Sequence, residues 1–282
     1  EAIDHETSPP VRLWLHKRPR GDRLIVKAQH TALDGGGLKS AMEELAECYR
    51  SDSAMPLEKE KVLPTERSEE QIFGSLDLGQ KLVIARRAVI SAFTGGAFSG
   101  DNSIWMDGVR AGALNKVTNP QLREIVLDTT HFEKFRDFCR GLNSTVNAGL
   151  LCAVGVTISK WNSIHGVKRK KYILSHTADL RALAPMISGR QVQGIFCNLS
   201  GAEALSLPSS SLSDLKTAIS SLRPRMDAVK REFPGAPSIY GFRKFTLGLP
   251  PRVSKYWMSP IARQFSRAFK RTFTLTNVGV ID

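Results

Sequence analysis

A chain of 282 residues with 41% hydrophobic content holds enough apolar material for one large or two ordinary cores, which excludes disorder as a whole-chain description. Forty Lys and Arg against 27 Asp and Glu leave a net charge of +13, a balance that favours anionic partners: nucleic acid, acidic lipid surfaces, phosphorylated cofactors or acidic carrier proteins. Four cysteines, Cys48, Cys139, Cys152 and Cys197, show no C-x-x-C spacing and read as reduced, mostly buried thiols of a cytoplasmic protein, with no zinc or disulfide role. The longest apolar run, Ala148 to Ile158, is too short to span a bilayer, and no basic-then-apolar leader precedes the first strand.

In chain order, "PVRLWLHKRPRGDRLIVKAQH" predicts a β-hairpin: Val11, Leu13 and Leu15 alternate with Arg12, Trp14 and His16, a turn falls at Arg18 to Asp22, and Leu24 to Ala28 runs apolar. After three glycines, Leu38, Met42, Leu45 and Tyr49 recur at helical spacing, so a helix is expected from near Gly37. A polar, proline-punctuated connector (51–70) follows, then a possible helix from Leu76 to Ala92 and a glycine-rich loop from Phe93 to Asn102. A domain boundary is placed between Ala97 and Asn119. The working division is 1–97, a linker at 98–118, and 119–282.

Beyond it, "LREIVLD" predicts a strand, and "HFEKFRDFCRGLN" an amphipathic helix with Phe132, Phe135 and Cys139 on one side and Gly141 as its stop. "STVNAGLLCAVGVTISKW" starts with a capping-type serine and is apolar on most faces, as a buried helix is. "KYILSHTADLR" predicts a strand ending at Asp179 and Arg181, and "VQGIFCNLSGAEALSL" further strand and turn. "SLSDLKTAISSLRPRMDAVKREF" is an amphipathic helix with a kink or break at Pro224, and "FTLTNVGVID" a closing strand with an Asn-Val-Gly turn. Between the last two, the stretch 243–271 carries basic residues and no acid, with Ile261, Phe265 and Phe269 on one stripe of a helix and Arg263, Arg267 and Arg271 on another.

The chemistry-bearing stretch is "QHTALDGGG", residues 29–37. A neutral imidazole is the natural general base near pH 7, because its ordinary pKa of about 6.5 leaves it free to accept a proton. His30 would need a fixed tautomer and direction. Asp34, with the chain turning between them, can brace the turn through backbone N–H groups or an arginine, and the glycines leave room beside the ring. His30 alone reads more readily as a structural histidine at a strand end than as a reactive one. A metal site is not expected, since Gly35 to Gly37 argue against a helix that would align His30 with Asp34 and no further ligand cluster is apparent. "GGGLKS" lacks the residue order of a phosphate-binding Walker loop. His176 is a weaker catalytic candidate.

"LIVKAQHTALDGGG" resembles the HHxxxDG segment of the coenzyme A-dependent acyltransferase superfamily, which includes chloramphenicol acetyltransferase, condensation domains of nonribosomal peptide synthetases, polyketide-associated acyltransferases and alcohol acetyltransferases. Further resemblances follow in the family's order. "STVNAGLLCAVGVTISKW" is similar to a helix those proteins write T-(V/L)-N-x-x-L-L-x-A, "HTADLR" to their D-L-R strand end, "GIFCNLSG" to the strand after it, and "LTNVGVID" to an S-N-x-G segment. The resemblance runs from about Val11 to Asp282. Two departures stand out: Gln29 replaces the first family histidine, and the D-F-G-W-G motif of the plant branch is absent. Family members have strands and helices on both sides of the matched region, so a fragment incomplete at both ends is expected.

The resemblance implies an α/β fold of two chloramphenicol acetyltransferase-like lobes, mixed sheets flanked by helices, with an active-site tunnel between them. It implies transfer of an acyl group from a thioester, on coenzyme A or on a carrier protein's phosphopantetheine, to an alcohol or amine acceptor. His30 would be the general base; Asp34 would pair with Arg181 away from substrate; the N–H groups of Gly35 and Gly36 and the Asn277 side chain are oxyanion or tunnel candidates. No permanently bound cofactor is expected. The alternative is a catalytically silent condensation-like module that binds a carrier protein. The basic 243–271 stretch reads first as a helix with its apolar face on the core and its basic face in solvent; the sharper readings are attraction of coenzyme A phosphates, an acidic carrier or an anionic membrane surface. Nucleic-acid binding is disfavoured, because the basic residues are not interleaved with a stacking platform and no groove-reading motif occurs.

Overall fold

The computed structural model describes residues 8–30, 32–50, 76–94, 123–183, 197–233, 235–236 and 273–276. The connector at 51–70, the linker at 98–118, the basic stretch 243–271 and Asn277 lie outside the described residues. The architecture is mixed α/β, and the chain forms two compact units: Glu1–Leu82 with Ala178–Gly201 and Val278–Asp282, and Val83–Thr177 with Ala202–Asn277.

In the first unit, β1 (Val11–His16) and β2 (Arg23–Ala28) pair antiparallel, with Val11 opposite Ala28 and His16 opposite Arg23. Gly21 takes φ +109°, a left-handed value that favours glycine, and its N–H donates to the Arg18 carbonyl (3.2 Å) to close the turn. Helix α1 (Gly35–Arg50) follows. The three glycines that read as a break form its first turn, none of them at positive φ. Asp34 explains the difference: its Oδ1 accepts the Gly37 N–H at 2.7 Å, as an N-cap does, which offsets the poor helix propensity of glycine.

The second unit is built on α4 (Val146–Ile164), entered by α3 (Thr129–Gly141) and packed against α5 (Leu215–Arg231). Leu151, Cys152 and Val156 of α4 join Tyr172 and Leu174 of β3 (Lys171–Asp179), Leu205 and Leu207 of β4 (Ser200–Pro208), and Ile219 and Leu222 of α5 in one core. β3 is the central strand, between β4 and β5 (Phe273–Leu275), and runs parallel to β5 with Leu174 opposite Phe273. β3 is buried continuously from Tyr172 to His176 instead of alternating, as a strand covered on both faces is. Helix α2 (Leu78–Thr94) is tied by Arg87, whose guanidinium bonds the buried Glu203 carboxylate at 3.0 Å; Glu203 also accepts the Gly235 N–H at 2.7 Å.

Three expectations need correction. Residues 123–128 form no strand: Ile125 and Val126 are 85% and 81% exposed, and among the described residues no strand pairs with this apolar run. The cap of α4 is Thr145, whose side chain accepts the Ala148 N–H, and not Ser144. Pro224 does not break α5, because Pro224 and Ser220, whose carbonyl it leaves unbonded, both lie on the exposed face and water can satisfy that oxygen. Among the described residues no single helix is long and apolar enough to cross a membrane.

Two helix glycines separate tight packing from slack. A Cβ on Gly149 would meet Cys139 Sγ at 2.4 Å and the Phe135 ring at 3.0 Å, whereas one on Gly155 would meet leucine methyls, those of Leu174 from 3.0 Å and one of Leu212 at 3.5 Å. Gly149→Ala is expected to lose about 1–2 kcal/mol, overpacking outweighing the gain in helix propensity, while Gly155→Ala stays within about 0.5 kcal/mol of the parent; urea unfolding reads both. Burial raises the Cys139 thiol pKa, and burial together with Cys139 pushes the Cys152 thiol up to about 12. Native thiol titration with a disulfide reagent should therefore modify exposed Cys48 quickly, and Cys139 and Cys152 only after denaturation.

Candidate active site

The hairpin delivers His30. Beyond β2 the Gln29 N–H still donates to the Pro10 carbonyl (2.8 Å), which extends the pairing by one residue. The Gln29 carbonyl then accepts from the Ala32 and Leu33 N–H groups (3.0 and 3.1 Å), so the chain coils into one tight turn before Asp34 starts α1. His30 sits at the outer edge of that turn and is exposed.

Asp34 is 5% exposed, and both its oxygens are engaged. Oδ1 accepts the Gly37 N–H at 2.7 Å; Oδ2 accepts the Leu199 N–H at 2.7 Å and an Arg181 guanidinium N–H at 3.0 Å. A buried carboxylate is tolerated when paired and fully hydrogen-bonded, and here two backbone donors and one cation supply both conditions. Arg181 reaches it from a 3-10 turn (Leu180–Leu183) at the end of β3. The guanidinium also donates to Asp179 Oδ1 at 3.0 Å and to the Cys197 carbonyl at 2.5 Å. Burial pulls the Arg181 pKa down, but the bonds and charges of Asp34 and Asp179 outweigh it and the net shift is upward, so the guanidinium stays charged.

Glycine is required where this cluster meets α1. A Cβ on Gly37 would lie 2.8 Å from the Cys197 carbonyl oxygen and 3.0 Å from the Arg181 guanidinium; one on Gly36 would lie 3.0 Å from both Arg181 and Asp179 side-chain atoms. The Gly-rich run thus lets residues 181 and 197–199 close over the helix start, a role that the sequence argument assigned instead to room beside the ring.

Of the residues singled out from sequence, the structure brings together Asp34, Gly36, Gly37 and Arg181, with Gly35 and His30 on the adjoining turn. Asn277 lies outside the described residues. His176 is buried in β3, its Nδ1 3.1 Å from the Thr177 carbonyl, a core position and not a second exposed imidazole. One residue was missed. Asn198 Nδ2 donates to the His30 carbonyl at 2.7 Å and lies 3.4 Å from His30 Nδ1. The available signal was its place in "GIFCNLSG", just after the segment that supplies Arg181.

The fold is one shared with condensation-type domains of known structure. No protein-family model and no curated protein matches the sequence. Among solved structures, the chain is similar to polyketide synthase associated protein 5 from Mycobacterium tuberculosis, at 18% identity and a TM-score of 0.55 over 89% of this chain and 59% of that one. It is similar to the first condensation domain of the CDA synthetase at 14% identity and a TM-score of 0.53, covering 79% and 46% of the two chains. The epimerization domain from the third module of tyrocidine synthetase B matches at 17% identity and a TM-score of 0.56, covering 85% and 52%. The chain spans about half to three fifths of the length of these proteins.

Removing Asp34 strands a charged guanidinium and two backbone N–H groups. Asp34→Ala is expected to destabilise the protein by about 3–5 kcal/mol, and Gly37→Ala, which faces an immovable carbonyl, by about 2 kcal/mol; thermal and urea unfolding measure both. A loss below about 1 kcal/mol in both variants would contradict the clamp described here.

Proposed function

We propose that the chain carries the histidine half of an acyltransferase centre of the condensation type, moving an acyl group from a thioester to an alcohol or amine. The observation that carries this reading is the pairing of an exposed imidazole with a buried, fully bonded Asp34–Arg181 support, in a fold shared with condensation domains. His30 accepts the proton of the acceptor's O–H or N–H as its lone pair attacks the thioester carbonyl. The tetrahedral oxyanion that forms is stabilised by hydrogen-bond donors; the N–H groups of Gly35 and Gly36, at the start of α1, are the candidates among the described residues. Collapse breaks the C–S bond, and the imidazolium returns the proton to the departing thiolate. Ester or amide and free thiol result, and no acyl-enzyme forms.

Coenzyme A or a carrier-protein phosphopantetheine is the proposed donor arm, in keeping with the synthetase and polyketide systems named for the structural neighbours. The acceptor enters from the opposite side in this reading. Gln29 favours a second reading, a silent module that binds a carrier protein without turnover, since it replaces the first histidine of the family motif.

The deciding comparison is wild type against His30→Ala in the full-length protein, with a panel of acyl thioesters and amine or alcohol acceptors. Loss of transfer by about 10²-fold or more is expected, with binding of the thioester carrier retained. Equal rates in the two proteins would remove His30 from the chemistry; carrier binding with no turnover in either would establish the silent module.

A further inference from the structure

Asn198 has an orientation that the structure fixes. The Ser200 N–H donates to its Oδ1 at 3.1 Å, so the amide nitrogen is the end that faces His30. Nδ2 donates to the His30 carbonyl at 2.7 Å and lies 3.4 Å from ring Nδ1. An amide nitrogen offers only hydrogens, so Nδ1 faces a donor, which a lone pair accepts and an N–H repels. At 3.4 Å the ring contact is weaker than the carbonyl bond, yet its sign is set by the Ser200 bond. Nor can Asn198 back away: the Cys197 carbonyl holds Arg181, and the Leu199 N–H holds Asp34.

We infer that Asn198 is a positioning residue that sets the tautomer of His30: the neutral ring carries its proton on Nε2 and turns the Nδ1 lone pair toward the amide. The inference rests on the proposed role of His30 as the proton-handling group, and refines it. Proton acceptance then falls to the Nδ1 lone pair, or to Nε2 once its proton has left for solvent and Nδ1 has taken one against the amide hydrogen.

The test is long-range nitrogen–proton NMR of the full-length chain labelled with ¹⁵N-histidine, in alkaline buffer where imidazoles are neutral, with His30 assigned among the six histidines through His30→Gln. Wild type is expected to show the Nε2–H pattern for His30. Asn198→Asp, similar in size and still offering an oxygen to Ser200, is expected to switch it to Nδ1–H, and Asn198→Ala to give a mixture of the two. A wild-type Nδ1–H pattern overturns the inference, as does one unchanged pattern across wild type and both folded variants. Should a variant fail to fold, the wild-type spectrum decides alone. The readout needs no turnover, so absent acyl transfer would count against the proposed reaction and leave the tautomer result standing.

Discussion

The structure around His30 depends on one buried charge. A carboxylate removed from water is strongly unfavourable unless donors replace its hydration, and Asp34 finds them in separate stretches of chain: the start of its own helix, the guanidinium of Arg181 and the backbone of Leu199. Meeting that demand fixes where α1 begins, how closely residues 197–199 approach it, and why Gly37 has no room for a side chain. His30, four residues upstream on a turn closed by the Gln29 carbonyl, inherits its position from the same bonds. The His30 imidazole stays exposed while the Asp34 carboxylate beside its turn is shielded from solvent.

In the second unit, ordinary packing sets the strand that runs on toward Arg181. α4 is apolar around most of its surface and lies in a core with β3, β4 and α5. The central strand β3 is buried through His176 and emerges at Asp179, so the segment that supplies Arg181 leaves a strand whose register is held by neighbours on both sides. Asp179 is half exposed, and as a second partner of Arg181 it adds little energy but narrows the directions the guanidinium can take.

Much of this was legible in the sequence, for identifiable reasons. The hairpin and four of the helices announce themselves by period-2 and period-3.6 patterns and by stop signals such as Gly141. Periodicity misled at 123–128, where an apolar run reads as a strand but nothing among the described residues pairs with it, and at Gly35–Gly37, where a capping carboxylate carries the helix through a glycine run. The Asp34–Arg181 pair spans 147 positions, and no local rule links the two; only the ordered resemblance to acyltransferases pointed to it. Asn198 escaped notice because its action depends on the orientation of one amide, which is set by Ser200 and invisible in a string of letters.

In the proposed reaction Asp34 serves transfer only through His30. A double-mutant cycle of His30→Ala and Asp34→Ala, followed by single-turnover acyl transfer at a temperature where all four proteins are folded, tests it most directly. Non-additivity is predicted: once His30 is gone, Asp34→Ala should lower the residual rate no further. Losses that multiply would contradict the account, because Asp34 would then act on the reaction independently of the histidine it is held to position.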